Sequence, residues 1–253
     1  MQGRNHEMRE SRLIRLDSRD RTTGTRYNCQ FNLNDYLLHN TQRVLLKSAF
    51  IPNTAYNVST FKNTLVYDAG AGIQTLTFTP GQYNLTELMA LFVSEFAAAT
   101  PSVTFGYTYN TNTSKLTFTS TPALLLYGDT STISELIGLE PVPTAVIVSQ
   151  TMANVVNLSG LQKVYIGSSV IAKGTSMTSS DKEHINIFTE IPITGAYGEI
   201  EHRVLNDLHS IDESTHAVPF NISSPDITLY DQDLNILDLN GANYQIVLKV
   251  FPE

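Results

Sequence analysis

Tyr244-Gln245-Ile246-Val247-Leu248-Lys249-Val250-Phe251, near the carboxyl end, sets Tyr244, Ile246, Leu248 and Val250 on one face of an extended strand and Gln245 and Lys249 on the other. That alternation marks a sheet with one buried face. Upstream of it, candidate strands at Val164 to Ala172, Ile185 to Ile193, Ala217 to Ile222 and Ile227 to Tyr230 are separated by turn-forming residues. At the opposite end, Leu13 to Leu16 and Phe31 to Leu33 are short apolar pieces around a turn-rich link, and Val44 to Ile51 is a strand that stops at Pro52-Asn53. The early and late strands are therefore expected to form one β-sandwich of the jelly-roll type, over residues 26–62 and 150–253.

Residues 63–149 differ in character and read as an inserted α+β subdomain. Leu65 to Tyr67 and Leu76 to Phe78 flank Ala69-Gly70-Ala71-Gly72, a hairpin connection whose glycines admit positive φ. Asn84 is an N-cap with Glu87 three residues on, and Leu85, Leu88, Met89, Phe92 and Phe96 repeat at helical spacing up to Thr100-Pro101. Val103, Phe105, Tyr107 and Tyr109, then Leu116 and Phe118, alternate on either side of a turn at 110–114. A second short helix is expected near Ile133 to Leu139, completing a β-α-β-β-α order.

The chain of 253 residues is 42% hydrophobic but only 16% charged. Thr, Ser and Asn make up the difference, a composition suited to pleated faces and turns rather than long solvated helices. Of the nine arginines, seven lie in the first 26 residues against four acidic side chains, leaving that segment at +3 and the remainder at −11. An acidic body lacks the basic patch that nucleic-acid binding requires, so contact with nucleic acid is expected at most through the N-terminal arm, residues 1–25. Arg4, Arg9, Arg12, Arg15, Arg19 and Arg21 are its candidate assembly or tether contacts, with order beginning near Arg12. The plainer reading pairs these cations with Glu7, Glu10, Asp17 and Asp20 or with an acidic partner surface. One cysteine, Cys29, excludes an internal disulfide, and the polar start lacks a signal peptide, so assembly inside the cell is expected. No run approaches the roughly 20 apolar residues of a membrane span. Five Asn-x-Ser/Thr sequons, at Asn57, Asn84, Asn112, Asn157 and Asn221, read as chance in an Asn- and Thr-rich chain.

Chemistry leaves no compact motif. There is no Gly-rich phosphate loop ending in Lys-Ser/Thr, no Gly-x-Ser-x-Gly, no His-Glu-x-x-His and no His-x-His of a metal-dependent jelly-roll enzyme. His202, His209 and His216 are seven apart but sit among loop-forming polar residues, which argues against a metal cluster. Asp231, Asp233 and Asn235 begin like a calcium loop, which fails at Ile236 and Ala242, so a turn through Asn240-Gly241 is expected instead. Glu199 and Glu201 beside His202 would share one face of a strand with nothing to desolvate them, and Cys29 has no neighbouring histidine. No enzyme activity, cofactor or metal is expected.

Ser18-Arg19-Asp20-Arg21, the strand near Phe31, and Val44 to Ser48 running into Ala49-Phe50-Ile51-Pro52-Asn53-Thr54-Ala55-Tyr56-Asn57 resemble the N-terminal region of penton proteins of virophages and Polinton-like double-stranded DNA viruses. Pro80-Gly81-Gln82-Tyr83 before the helix, and Ile227-Thr228-Leu229-Tyr230-Asp231 through Leu239-Asn240-Gly241, carry the same resemblance. It implies a single jelly roll, a homopentamer at each five-fold vertex of an icosahedral virion, contacts with the major capsid protein, and no catalysis. Loops of the inserted subdomain are the candidate contact with a host receptor. Competing readings are a non-pentameric minor capsid or spike-base protein and a carbohydrate-binding β-sandwich module.

Overall fold

The computed structural model describes residues 11–33, 38–146, 149–172, 186–204 and 213–252. It divides into two compact units, one made of Met1–Ala55 with Leu161–Glu253, the other of Tyr56–Gly160. The second unit thus begins at Tyr56 rather than 63 and ends at Gly160 rather than 149. Its added residues have partners there: Asn57 bonds to Tyr83, and Gln150 and Thr151 pair with Phe118 and Thr117.

The first unit opens with strands β1 (Arg12–Asp17), β2 (Thr23–Gly24), β3 (Asn28–Gln30) and β4 (Leu38–Pro52). The second contains β5 (Thr64–Asp68), β6 (Ile73–Thr77), helix α1 (Leu85–Ala99), β7 (Thr104–Asn110), β8 (Lys115–Thr121), β9 (Leu124–Tyr127), the one-turn helix α2 (Ser134–Ile137), β10 (Pro143–Val146) and β11 (Ser149–Thr151). The chain then returns to the first unit with β12 (Lys163–Gly167), β13 (Ile187–Pro192), β14 (Ile200–Val204), β15 (Glu213–Ile222), β16 (Asp226–Tyr230) and β17 (Gln245–Pro252).

In the first unit one sheet runs β1-β17-β4-β14, with β15 also on β4, and the other runs β13-β12-β16-β3-β2. With β2 and β3 taken together as the second and β14 and β15 as the sixth of eight principal strands, the sheets read first-eighth-third-sixth and fifth-fourth-seventh-second. All the pairings are antiparallel. This is the strand order of a jelly roll, in which the chain crosses repeatedly between two sheets. Leu16, Val44, Leu46, Ile51, Ile246, Leu248 and Val250 from one sheet and Cys29, Val164, Ile166, Ile227 and Leu229 from the other form one buried cluster. The face expected for the last strand is the buried one: Tyr244, Ile246, Leu248 and Val250 are each at most 1% exposed.

The second unit has a four-stranded sheet, β10-β9-β5-β6, a three-stranded sheet, β11-β8-β7, and α1 over a core of aromatic rings. Phe78 stacks on Phe92 at 4.2 Å, Phe96 on Phe105 at 4.3 Å, and Phe105 meets Phe118 edge-on at 5.0 Å. Such offset and edge-on pairs add to the gain from burial. The α1 capping box is complete, with Glu87 N–H donating to Asn84 Oδ1 at 3.0 Å and Asn84 N–H to Glu87 Oε2 at 2.9 Å. Gly70 and Gly72 take φ of 90° and 102°, as the hairpin requires. Because β9, β10 and β11 also pair here, the order is richer than the expected β-α-β-β-α.

Several strand bounds differ from expectation. β12 stops at Gly167 instead of continuing to Ala172, because Ser168, Ser169 and Val170 turn to bond the Asp226 carboxylate. Phe31 and Leu33 are not in a strand, although their N–H groups donate to Pro225 O and Ser223 O. Position 185 of the expected strand Ile185 to Ile193 lies outside the described residues.

Candidate assembly site at the amino-terminal strand

The expected arm, residues 1–25, is in part sandwich. Arg12–Asp17 pairs in continuous register with β17, from Arg12 opposite Val250 to Asp17 opposite Gln245. Alternation buries Leu16 and half-buries Ile14 while leaving Leu13 and Arg15 exposed. Removing residues 1–25 would therefore strip an edge strand from the jelly roll, not a free arm. Arg4 and Arg9 lie outside the described residues.

The turn after β1 employs two of the candidate cations. Asp17 Oδ1 accepts from Arg19 N at 3.0 Å and Nε at 2.9 Å, and its Oδ2 accepts from Arg19 Nη2 at 2.6 Å. These bonds cap the 3₁₀ turn Ser18–Asp20. The side-chain hydrogen bond from Arg19 is the largest influence on Asp17, and its carboxyl is held at about 2. Arg21 donates from Nη1 to Ser18 O at 2.8 Å and from Nε to Gly24 O at 3.2 Å. Ser18 is buried and bonds to Tyr244, the residue before β17: its N–H donates to Tyr244 O at 3.0 Å and its Oγ accepts from Tyr244 N at 3.1 Å. Arg19 and Arg21 thus shape their own turn, whereas Arg12 and Arg15 stand on the strand edge.

Cys29, Glu199, Glu201, His202 and Asp231 each make local contacts. Burial pushes the Cys29 thiol up, and its sulfur lies 3.3 Å from Tyr244 Oη. Glu201 Oε2 accepts from Thr194 N at 2.9 Å, Thr194 Oγ1 at 3.0 Å and Gly195 N at 3.3 Å, and the Thr194 backbone bond is the largest influence holding its carboxyl below the ordinary value. Glu199 Oε2 accepts from Ala196 N at 2.7 Å. The two glutamates clasp one turn and do not form an acid–base pair. His202 belongs to β14, not to a loop, and stacks on Phe50 with centroids 3.9 Å apart. Position 216 is likewise strand, and His209 lies outside the described residues. Asp231 Oδ1 accepts from Asp233 N and Asn235 N, closing a turn, and Asn240 and Gly241 take φ of 50° and 81°. Among the described residues no three His, Cys, Asp or Glu side chains stand together as metal ligands, and no helix is long and apolar enough to cross a membrane.

Two structural polar residues carry no motif. Asp226 at the start of β16 accepts from Ser168 Oγ at 2.9 Å, Ser169 N at 2.8 Å and Val170 N at 3.1 Å. Burial raises its pKa, but these bonds together outweigh burial and hold it below the ordinary value. Asn57 is buried, with Oδ1 accepting from Val58 N and Tyr83 N and Nδ2 donating to Tyr83 O at 2.8 Å. The sequons at Asn57 and Asn84 therefore mark backbone-binding asparagines.

Jelly-roll order, with an edge strand supplied by the amino-terminal segment, defines a β-sandwich protein of the jelly-roll class. The chain belongs to a family of unknown function, DUF5901, whose model matches residues 25–228. It shares its fold with the mavirus penton protein, known from a crystal structure, at a TM-score of 0.51 and 9% identity over 95% of this chain and 99% of that one. A chain of the Sputnik virophage, from a cryo-EM structure, superposes at a TM-score of 0.46 with 11% identity, covering 95% and 97%. No curated protein matches by sequence.

Proposed function

We propose that the protein is a structural, non-enzymatic capsid component that forms homopentamers at the five-fold vertices of an icosahedral virion and contacts the major capsid protein there. The observation that carries this reading is the superposition on the mavirus penton protein, which spans nearly the whole of both chains and so includes the second unit as well as the sandwich. A closed ring needs two different flanks of one subunit to meet, and a two-sheet sandwich offers such flanks. Assembly takes place inside the host cell. Residues 1–11, with Arg4 and Arg9, act as the tether to neighbouring capsid proteins, helped by Arg12 and Arg15 on β1. The unit Tyr56–Gly160 is an insertion between β4 and β12, and its hairpin ends, where Ile73 is 66% and Tyr109 38% exposed, supply the receptor-facing surface.

Electron microscopy and native mass spectrometry of the purified full chain test the proposal. Five-fold rings and a mass five times that of one chain are expected. A trimer would favour the spike-base reading, and a monomer that binds glycans on an array would favour the carbohydrate-binding module.

A further inference from the structure

Arginines expected in a free arm are gathered at one corner of the jelly roll. Arg21 donates to Ser18 O and Gly24 O, and Ser18 in turn bonds to Tyr244. Arg15 lies within hydrogen-bond reach of the Gln245 side-chain amide. The Arg26 guanidinium sits over Gly241, where a Cβ would lie 3.5 Å from its Nη1. These three cations thus meet around the segment Gly241 to Gln245, with Arg19 in the adjoining turn and Arg12 further along β1.

Arg19 pairs with Asp17, but among the described residues Arg12, Arg15, Arg21 and Arg26 form no ion pair. The carboxylates in the same stretches, 12–30 and 238–245, are Asp17, Asp20 and Asp238, so the five arginines keep a surplus of two in a chain whose net charge is −8. Charge summed over the acidic body conceals this corner. Neutral donors stand around the arginines, with Thr22, Thr25 and Asn243 exposed. No large hydrophobic side chain is exposed between 17 and 28 or between 238 and 245. A protein partner would call for an apolar centre to the contact. Surfaces that take nucleic acid are instead polar and positively charged, and hold phosphate oxygens by Arg, Thr, Asn and backbone N–H groups.

We infer that this corner binds the phosphate backbone of a nucleic acid, without reading its sequence, through Arg15, Arg21 and Arg26. Two carbonyls fix Arg21, so part of the ordering cost of binding is met before the partner arrives. The planar fork of each guanidinium can engage two phosphate oxygens at once. Arg15, counted above with the tether, lies at the margin of the contact. The inference stands apart from the ring, since a single copy carries the whole corner.

Fluorescence anisotropy of a short labelled DNA duplex, titrated with the full chain at several salt concentrations, tests it. Wild type should bind with a Kd of about 10⁻⁴–10⁻⁶ M near physiological salt, and more tightly at low salt. Arg15→Gln and Arg26→Gln should each flatten the slope of log affinity against log salt by about 1, and the double variant by about 2. Arg15 is exposed and Arg26 half-exposed, so thermal unfolding should show the melting temperature retained. Lys163→Gln removes the same charge from the other sheet and should leave the slope unchanged. Equal slopes in wild type and the double variant, or an equal flattening by Lys163→Gln, overturn the inference. So does a wild-type chain that fails to bind the duplex at low salt. Poly-L-glutamate that displaces the labelled duplex at a lower charge concentration than unlabelled duplex would mark the partner as an acidic protein, and would also overturn it.

Discussion

Asp17 shows how one side chain can join a sheet to a turn. Its carboxyl titrates at about 2 in the folded chain against 3.8 for the free group, so it favours the folded state fully above pH 3.8, and the contribution disappears as pH falls through about 2. Asp17→Asn should therefore lower Tm by about 2–4 °C at neutral pH. That difference should shrink steadily on acidification toward pH 2, and thermal unfolding of both proteins across this range checks it. A pH-independent difference would mean that the charge is not the cause. The role was not legible in the sequence, where Asp17 reads only as one of four acids among seven arginines. Nor was that of Asp226, since the groups it binds, Ser168 to Val170, lie more than 50 residues away. By contrast the Asn84 and Glu87 capping box and the Asn240-Gly241 turn are local, and both were expected from the residues themselves.

Strands and helices differ in how far their neighbours can be read. Helix α1 follows the expected start and stop because its signals lie within its own turns: a cap, an apolar repeat and a closing Thr100-Pro101. Strand β1 was expected only as a short apolar piece at the limit of an arm, because an isolated period-2 pattern does not reveal its partner. Its pairing with β17, more than 220 residues on, makes it part of the jelly roll. Deletion of residues 1–11 should leave Tm unchanged. Deletion of 1–25 also removes buried Leu16 and half-buried Ile14, a loss of about 1.5–3 kcal/mol for each side chain when fully buried, and unpairs β17. Thermal unfolding of the two truncations should separate them clearly, and equal stabilities would show that β1 is dispensable.

For the molecule as a whole, each unit closes its own apolar cluster. The Tyr56–Gly160 unit is continuous in sequence, and Phe78, Phe92, Phe96 and Phe118 within it are each 0% exposed. Expressed alone, residues 56–160 should unfold cooperatively and show dispersed amide signals by NMR; collapsed, poorly dispersed spectra would mean that the unit depends on the rest of the chain. Composition, strand alternation, the capped helix and the glycine hairpin were enough to predict a mainly β protein with helical content concentrated in its middle third. These features depend on side-chain size, backbone freedom and periodicity over a few residues. The sheet assignments, the bounds of the units and the turn-forming work of Arg19 and Arg21 emerge only in three dimensions. They arise from pairing between segments far apart along the chain, where local preference is nearly silent and the shared burial of distant apolar faces selects the partner.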